Sequence, residues 1–332
     1  MNKRERFLSV MHFKKPDDRL PMIEWAGWWD KTHHRWQREG LPMHLQSEDL
    51  VEYFGLDDLS CIMAGGKSGK CPNPPHHGAG IISDEAAYEK IRPFILNDEL
   101  VESAVYQAQQ LKEKHDKGTI AVRLWLDGFF WFPRSLFGIM EHLYAFYDYP
   151  ELMHRINNDL ADFNLRVMEA VFPILKPDMV GYAEDMSYNN GPMLSEAMFE
   201  EFLAPYYHKT IPFIKSHGIK VLIDTDGDLT MMIPWLLRAG ADGIYPLERQ
   251  AGVDIKEIRR QFPQLLIMGA YDKMVMSKGE QEMREEFERL LPVMCSGGFL
   301  PSVDHQTPPE VPLENYRIYL NLFKEYCIKA VQ

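Results

Sequence analysis

Short apolar runs alternate with longer amphipathic segments along most of the chain. The runs have the length of strands and lie at 20–25, 59–63, 120–125, 178–183, 220–223, 242–247, 265–270 and 298–303. Most of the segments between them carry apolar residues at three- and four-residue spacing, which predicts helices, with a long helix pair at 151–175. Regular alternation implies parallel strands joined by crossover helices. We therefore predict an α/β fold, a single (β/α)8 TIM barrel with an N-terminal helical extension at 4–12.

Two segments break this rhythm and are predicted to be loops. One is the aromatic and His-rich stretch at 28–36, and the other is the Gly-, Pro- and His-rich stretch at 65–80. No linker or shift in composition divides the 332 residues, so we expect one domain over residues 1–332.

Composition limits the classes of partner. The net charge of −13 disfavours nucleic acid and anionic membrane surfaces. The four cysteines are scattered and fit a reducing cytoplasm. Residues 1–19 lack the apolar core of a signal peptide, and no apolar run approaches the ~20 residues that span a bilayer. We expect a cytoplasmic protein that binds neither membrane nor nucleic acid.

The segment Lys220–Asp228 carries the main chemical signal. A buried strand ends in Asp224 and Asp226, whose side chains should point the same way because side chains alternate along a strand. Two carboxylates on one face repel each other unless a cation or a shared proton relieves the repulsion. The alternative is that these residues only cap the next helix and line a solvated loop.

Ionisable residues end most of the other predicted strands. In a barrel the strand ends meet at one mouth, which would form an acidic cup with one imidazole. The members of this cup are Glu24, Asp127, Glu184, Asp185, Asp224, Asp226, Glu248, Asp272, Lys273, Asp304 and His305. Its aromatic rim would consist of Trp25, Trp28, Trp29, Phe129, Phe130 and Trp131.

An acidic cup with a histidine suits a divalent metal such as Zn²⁺. Asp224, Asp226 and His305 are the preferred ligands, and Glu184 is a candidate fourth. The alternatives are that Asp304 caps the last helical region with His305 satisfied inside the barrel, and that Glu184 and Asp185 pair with Lys or Arg. Candidate catalytic residues are Glu184, Asp185 and Asp226, and candidate substrate-binding residues are Glu24, Trp25, Trp28, Phe130 and Tyr182.

Several short motifs resemble the uroporphyrinogen decarboxylase superfamily, which includes cobalamin-dependent methyltransferases. They span most of the chain and lie at 4–6 (RER), 26–27 (AG), 190–195 (NGPMLS), 217–218 (HG), 239–243 (AGADG) and 307–309 (TPP). The resemblance implies a single (β/α)8 barrel with its site at the C-terminal mouth, and a homodimer.

Departures from the family motifs separate its branches. Glu24 and Trp28 stand where the decarboxylases carry two porphyrin-binding arginines, so a polyanionic porphyrinogen would be repelled. The methyltransferases hold zinc through H-x-C and a later Cys, and the corresponding places hold Asp224-Thr225-Asp226 and Asp304-His305. Oxygen ligands in place of thiolates suit activation of an oxygen or nitrogen centre.

The resemblance implies a corrinoid-dependent methyltransferase. Such an enzyme would move a methyl group from a small methoxylated or methylated substrate to the cobalamin of a partner corrinoid protein, with a metal or the acidic cluster activating the substrate. One alternative is a decarboxylase of a less anionic substrate, with Arg123, Arg134 or Lys273 holding its carboxylate. Another is a non-catalytic protein that holds a hydrophobic ligand at the barrel mouth.

Overall fold

A computed structural model describes residues 1–46 and 49–332 of the chain. Its helices are α1 (Lys3–Met11), α2 (Asp30–Arg38), α3 (Leu50–Tyr53), α4 (Glu85–Ile91), α5 (Asp98–Asp116), α6 (Trp131–Phe137), α7 (Ile139–Asp148), α8 (Pro150–Val171), α9 (Glu196–Phe202), α10 (Ala204–Ser216), α11 (Ile233–Ala239), α12 (Ile255–Gln261), α13 (Glu280–Met294) and α14 (Leu313–Lys329). Its strands are β1 (Leu59–Ala64), β2 (Ala121–Asp127), β3 (Met179–Ala183), β4 (Ser187–Tyr188), β5 (Gly191–Pro192), β6 (Lys220–Asp224), β7 (Gly243–Tyr245), β8 (Leu266–Tyr271) and β9 (Phe299–Val303).

The main sheet has seven strands in the order β1-β2-β3-β6-β7-β8-β9, and every neighbouring pair is parallel. Apart from the small antiparallel pair β4-β5, the strands alternate with helices, as the sequence pattern predicts. The predicted α/β class and parallel arrangement are confirmed, and the fold is of the TIM-barrel type.

The predicted first strand is wrong, and the sheet is therefore not closed by a continuous ladder. Residues 20–25 form no ladder with either edge strand, although Met22 reaches Asp57 beside β1 and Trp25 reaches Ser302 on β9. Pro21 has no N–H, Met22 N–H donates to the Asp57 carboxylate at 2.9 Å, and Trp25 N–H faces the Ser302 hydroxyl at 3.4 Å. Because side chains accept from the N–H groups of Met22 and Trp25, these N–H groups are not free to bond to a neighbouring strand. The segment therefore lies where an eighth strand is expected without pairing as one.

Two helix predictions also need correction. The stretch at 28–36 is largely helical, since α2 begins at Asp30 and buries Thr32, His33 and Trp36 on one face. The helical spacing of these three buried residues was missed because the segment consists mainly of charged and histidine residues, with few apolar ones. The predicted helix pair at 151–175 is one helix, α8, which begins with Pro150 and meets no breaker before Val171.

Helix α1 covers the N-terminal side of the barrel. Arg4 donates to Asp178, which precedes β3, at 2.8 Å, and Arg6 donates to Asp57, which precedes β1, at 2.9 Å. These ion pairs hold α1 against the N-terminal ends of the strands. The C-terminal ends of the strands, on the opposite side, are not covered by this helix.

Candidate active site

A cavity of about 330 Å³ opens at the C-terminal ends of the strands. Its lining consists of Trp25, Ala26, Arg123, Trp125, Trp131, Ala183, Glu184, Asp185, Asp224, Asp226, His305 and Gln306. Residues from widely separated parts of the chain thus share one pocket. All of the residues that the sequence suggested as metal ligands or catalytic groups lie in this lining, and so does Trp25.

The remaining four candidate residues for substrate binding do not line the cavity. Glu24 accepts from the Ser302 hydroxyl at 3.2 Å, and burial raises its pKa to about 7. The Tyr182 hydroxyl donates to Thr210 within the core at 2.8 Å. The other two are core aromatics: Trp28 packs with Trp36, Phe54 and Tyr316, and Phe130 packs with His142 and Phe146.

Asp224 and Asp226 point to the same side, as side-chain alternation requires. Thr225 between them is fully buried, and its hydroxyl accepts from Met186 N–H at 3.0 Å. Asp224 ends β6, where it pairs in register with Tyr245 of β7. Burial, and then the charge of Asp226, raises the pKa of Asp224 well above its ordinary value. A neutral carboxyl group is therefore favoured at the pocket wall.

Asp226 lies nearer the opening, with about 38 % of its side chain exposed. Partial burial and then the charge of Glu248 raise its pKa to about 7, while Lys273 opposes the rise. Lys273 lies 3.2 Å from Asp304 and 3.6 Å from Glu248. Asp226 can therefore exchange a proton near neutral pH.

His305 faces Asp226 across the pocket. Its Nε2 lies 3.9 Å from an Asp226 oxygen, and its ring meets Trp25 edge-on at 6.1 Å. Burial, and then the charge of Lys273, lowers the pKa of His305 below its ordinary value. Neutral imidazole is favoured beside the titrating carboxyl group.

Glu184 is held by donors from the loop after β2. The N–H groups of Phe129, Phe130 and Trp131 donate to its carboxylate at 2.8, 2.7 and 3.1 Å, and the Tyr207 hydroxyl donates as well. Burial nevertheless raises the pKa of Glu184 to about 7. Instead of the salt bridge suggested from sequence, these bonds fix the loop that forms one pocket wall.

Asp185 pairs with an arginine, which is the alternative that the sequence analysis gave to a catalytic role. Its carboxylate lies 3.5 Å from the Arg134 guanidinium, which also donates to the Asp185 carbonyl at 2.9 Å. The backbone of Asp185 has a φ of +50°, in the left-handed region. These bonds hold the turn after β3, which places Glu184 and Asp185 side by side.

Arg123 and Trp125 are not among the site residues predicted for the methyltransferase, although the sequence suggests Arg123 as a cation for a decarboxylase. Both line the cavity, and the Arg123 guanidinium lies 4.5 Å from the centre of the Trp125 ring. They stand two positions apart on β2, so they share a strand face. Side-chain alternation, which predicted that Asp224 and Asp226 share a face of β6, would also have predicted that Arg123 and Trp125 share a face of β2.

The residues present do not form a ready zinc site. Across residues 1–46 and 49–332, no group of three His, Cys, Asp or Glu side chains is arranged to hold a metal ion. Nε2 of His305 lies 3.9 Å from an Asp226 oxygen, somewhat more than the roughly 3.3 Å that separates two ligands of one tetrahedral zinc ion. Zinc binding through Asp224, Asp226 and His305 stays a prediction, and no reaction step is derived through it.

A parallel α/β fold of the TIM-barrel type, with an acidic pocket at the C-terminal ends of its strands, defines the class of protein. The chain belongs to the uroporphyrinogen decarboxylase family, whose model "Uroporphyrinogen decarboxylase (URO-D)" matches residues 128–326. The family suggested by the sequence motifs is confirmed. No curated protein matches the sequence.

Two solved structures are similar to this chain. A methyltransferase from Methanosarcina mazei is similar over 98 % of this chain and 99 % of its own, with a TM-score of 0.64 and 13 % identity. A putative vitamin-B12-independent methionine synthase from Listeria monocytogenes is more distant: 95 % of this chain and 97 % of that one align, with a TM-score of 0.48 and 10 % identity. The first similarity supports the fold alone.

The helices in the described part of the chain include none long and apolar enough to cross a membrane.

Proposed function

We propose that this protein is a methyltransferase that moves a methyl group from a small methoxylated or methylated substrate to a partner corrinoid protein. The observation that carries the proposal is the Asp226 carboxyl group, which lies beside His305 in a tryptophan-lined pocket where burial and the charge of Glu248 raise its pKa to about 7. A heteroatom losing a methyl group needs a proton, and a general acid works best when its pKa is close to the operating pH.

The residues of this chain would bind and protonate the substrate. Trp25, Trp125 and Trp131 offer flat apolar walls. As the bond between the heteroatom and the methyl carbon breaks, its electron pair stays on the heteroatom, and Asp226 delivers the proton there. A corrinoid on the partner would supply the nucleophile that takes up the methyl group. Neutral His305, beside Asp226, would pass a proton from solvent to that carboxylate after product leaves.

Exposed apolar side chains follow the strand ends beside the pocket. Tyr188, Met231 and Met274 come after β3, β6 and β8 and are 48 %, 66 % and 42 % exposed. Apolar groups near a site opening are typical of surfaces that receive another protein. They support a partner that docks over the mouth, as transfer to a corrinoid protein requires.

Tetrapyrrole decarboxylation, the activity after which the family is named, fits the pocket poorly. A cavity of about 330 Å³ is at the small end of the ~300–1,000 Å³ range of ligand sites. Among the described residues of its lining, Arg123 is the one lysine or arginine, which is too few to pair with the several carboxylates of a porphyrinogen. A small donor molecule suits both the size and the charge.

The test is methyl transfer to reduced cobalamin and to corrinoid proteins from a panel of methoxylated and methylated donors. We expect at least one donor to be demethylated, and Asp226→Asn to lower turnover by about 10²- to 10⁴-fold. Asp84→Asn, which alters an exposed helix cap, is the control and should keep turnover. If no donor on the panel transfers its methyl group to any acceptor, the proposal fails.

One observation favours the second candidate, a carboxy-lyase. Arg123 lies in the pocket and could hold a substrate carboxylate, while Asp226 protonates the carbon that loses CO₂. Measuring CO₂ release beside methyl transfer on the same donors separates the two. Release of CO₂ without demethylation would assign the chain to the lyase branch of its family.

A further inference from the structure

Arg123 is a buried cation whose hydrogen-bonding capacity is largely unused. The residue is 8 % exposed, and Nη2 donates to the Trp25 carbonyl at 3.0 Å. Its Nε and Nη1 atoms have no hydrogen-bond partner in the described residues. Its charge opposes the rise in the pKa of Asp224, but Asp224 does not hydrogen-bond to it. A buried guanidinium with two unpaired N–H groups is costly unless an anion completes it.

Tyr245 adds a second unpaired donor at the same place. The residue is fully buried, and its hydroxyl has no partner among the described residues. Its ring meets Trp25 at 5.2 Å and Trp125 at 6.3 Å, and both of these indoles also flank the Arg123 guanidinium. The two unpaired donors therefore share one aromatic enclosure.

The sheet is built to leave room for this hydroxyl. A Cβ atom at Gly181 would lie 2.4 Å from the Tyr245 oxygen, so a side chain at that position would displace it. Gly181 pairs in register with Trp125 and Leu222, which places the hydroxyl over β3 within the barrel. The absence of a side chain on Gly181 keeps the hydroxyl beside Trp125.

We propose that Arg123 and Tyr245 together bind a carboxylate of the substrate, and that the substrate is a small aromatic monocarboxylic acid. The planar fork of a guanidinium matches a carboxylate, and the flanking indoles match a flat ring. Among the described residues that line the cavity, Arg123 alone is a lysine or arginine, so a second negative charge would have no partner there, which disfavours phosphate esters and dicarboxylates. This inference rests on the proposed function only in making that acid the methyl donor.

The unpaired nitrogens are closed off from solvent in this structure, so a ligand must displace neighbouring side chains to reach them. Trp25 and Trp125 border both donors, and their fluorescence should change when the ligand enters. Indole fluorescence thus reports binding at this place without any turnover.

The test compares 4-methoxybenzoate with 4-methoxybenzamide, which has the same shape without the charge, by calorimetry and tryptophan fluorescence on the full chain. We expect the carboxylate to bind at least about tenfold tighter than the amide. Arg123→Met should abolish that preference, and Tyr245→Phe should reduce carboxylate affinity about three- to tenfold. Tyr88→Phe, which removes a hydroxyl bonded to Asp159 far along the chain, should leave the preference unchanged.

Equal affinity for the two probes, no binding of either, or an unchanged preference in Arg123→Met would overturn the proposal. If Arg123→Met does not fold, an unchanged preference in Tyr245→Phe overturns it instead. Phenyl phosphate should bind more weakly than the benzoate, and tighter binding would assign the site to phosphate. Because binding needs no methyl acceptor, selective binding without methyl transfer would sink the proposed function and leave this inference standing.

Discussion

Nε2 of His305 lies 3.9 Å from Oδ2 of Asp226, which brings the segment after β9 against the segment after β6. The two residues are far apart in the chain and meet because parallel strands end on the same side of the sheet. Burial favours the neutral form of each one. In the proposed function, this neutral imidazole and the carboxyl group of Asp226, whose pKa is raised to about 7, would exchange protons at the mouth of the pocket.

The pH dependence of turnover follows from this pair. Asp226 must be protonated to act as an acid, and its pKa is about 7. The protonated fraction falls about tenfold per unit above that value. We expect kcat/KM for methyl transfer to fall as pH rises through 7, and the Asp226→Asn variant to lose this limb of its profile. A wild-type profile that rises through pH 7 would contradict the acid role.

Removing the charge of Glu248 should change the pH at which kcat/KM falls. Its charge is the largest electrostatic cause that raises the pKa of Asp226, and Gly227 N–H donates to it at 3.0 Å. Glu248→Gln keeps an acceptor for this N–H and removes the charge. We expect the limb of the kcat/KM profile to shift to lower pH, whereas the exposed control Glu102→Gln should leave it in place. If the limb stayed in place or moved to higher pH, the charge of Glu248 would not be what raises the pKa of Asp226.

Glu184 should support stability in a pH-dependent way. It accepts from three backbone N–H groups and Tyr207, so Glu184→Gln should lower the free energy of unfolding by about 1–3 kcal/mol at pH 5. Its folded pKa of about 7 lies above its unfolded value of 4.5, so the stability of its protonated form is full below 4.5 and is lost as pH rises through 7. The advantage of wild type over the variant should therefore shrink by up to about 3 kcal/mol between pH 4.5 and 8. Urea unfolding at both pH values measures it, and a growing advantage would contradict the raised pKa.

Gly128 should be required for the same contact. A Cβ atom at this position would lie 2.1 Å from the Glu184 carboxyl carbon. Gly128→Ala should therefore displace Glu184 and lower the free energy of unfolding by about 1–3 kcal/mol. Gly69→Ala is a matched control, since nothing lies within 4 Å of the added atom. Equal unfolding midpoints for the two variants would show that the loop yields without cost.

The exposed apolar residues at the mouth should matter only for a protein acceptor. Met231→Glu places a charge on the surface proposed to receive the corrinoid protein, and desolvating that charge weakens docking. We expect the rate at limiting corrinoid protein to fall about tenfold or more, with an unchanged rate to free cobalamin. Tyr106→Glu, on the exposed face of α5, should change neither rate. Equal losses with both acceptors would mean that Met231 acts on the pocket rather than on docking.

Metal removal separates the two ways of activating the substrate. The proton route uses no ion on this chain, so treatment with a chelator should leave methyl transfer unchanged. Loss of activity on chelation that Zn²⁺ restores would instead support Asp224, Asp226 and His305 as ligands. Zinc content and activity measured on the same samples, with His305→Ala beside wild type, distinguish these outcomes.

The periodicity of apolar residues was enough to predict most strands and helices, because the apolar positions of each amphipathic segment mark the face that is buried. Alternation along 220–228 predicted that Asp224 and Asp226 share a face, with Thr225 turned into the core. It failed at 20–25, where apolar content is that of a strand. There the backbone donors are taken by the side chains of Asp57 and Ser302, which no local pattern contains.

The sequence by itself determined the β/α alternation, the family motifs and the concentration of acidic residues at strand ends. Only the tertiary structure decided which of these residues share the pocket. It drew Glu24, Trp28, Phe130 and Tyr182 into other contacts and placed Arg123 and Trp125 in the cavity. The physical reason is that residue type and periodicity fix which face of an element is buried, whereas the neighbours packed against that face, from distant parts of the chain, decide which polar groups stay unpaired.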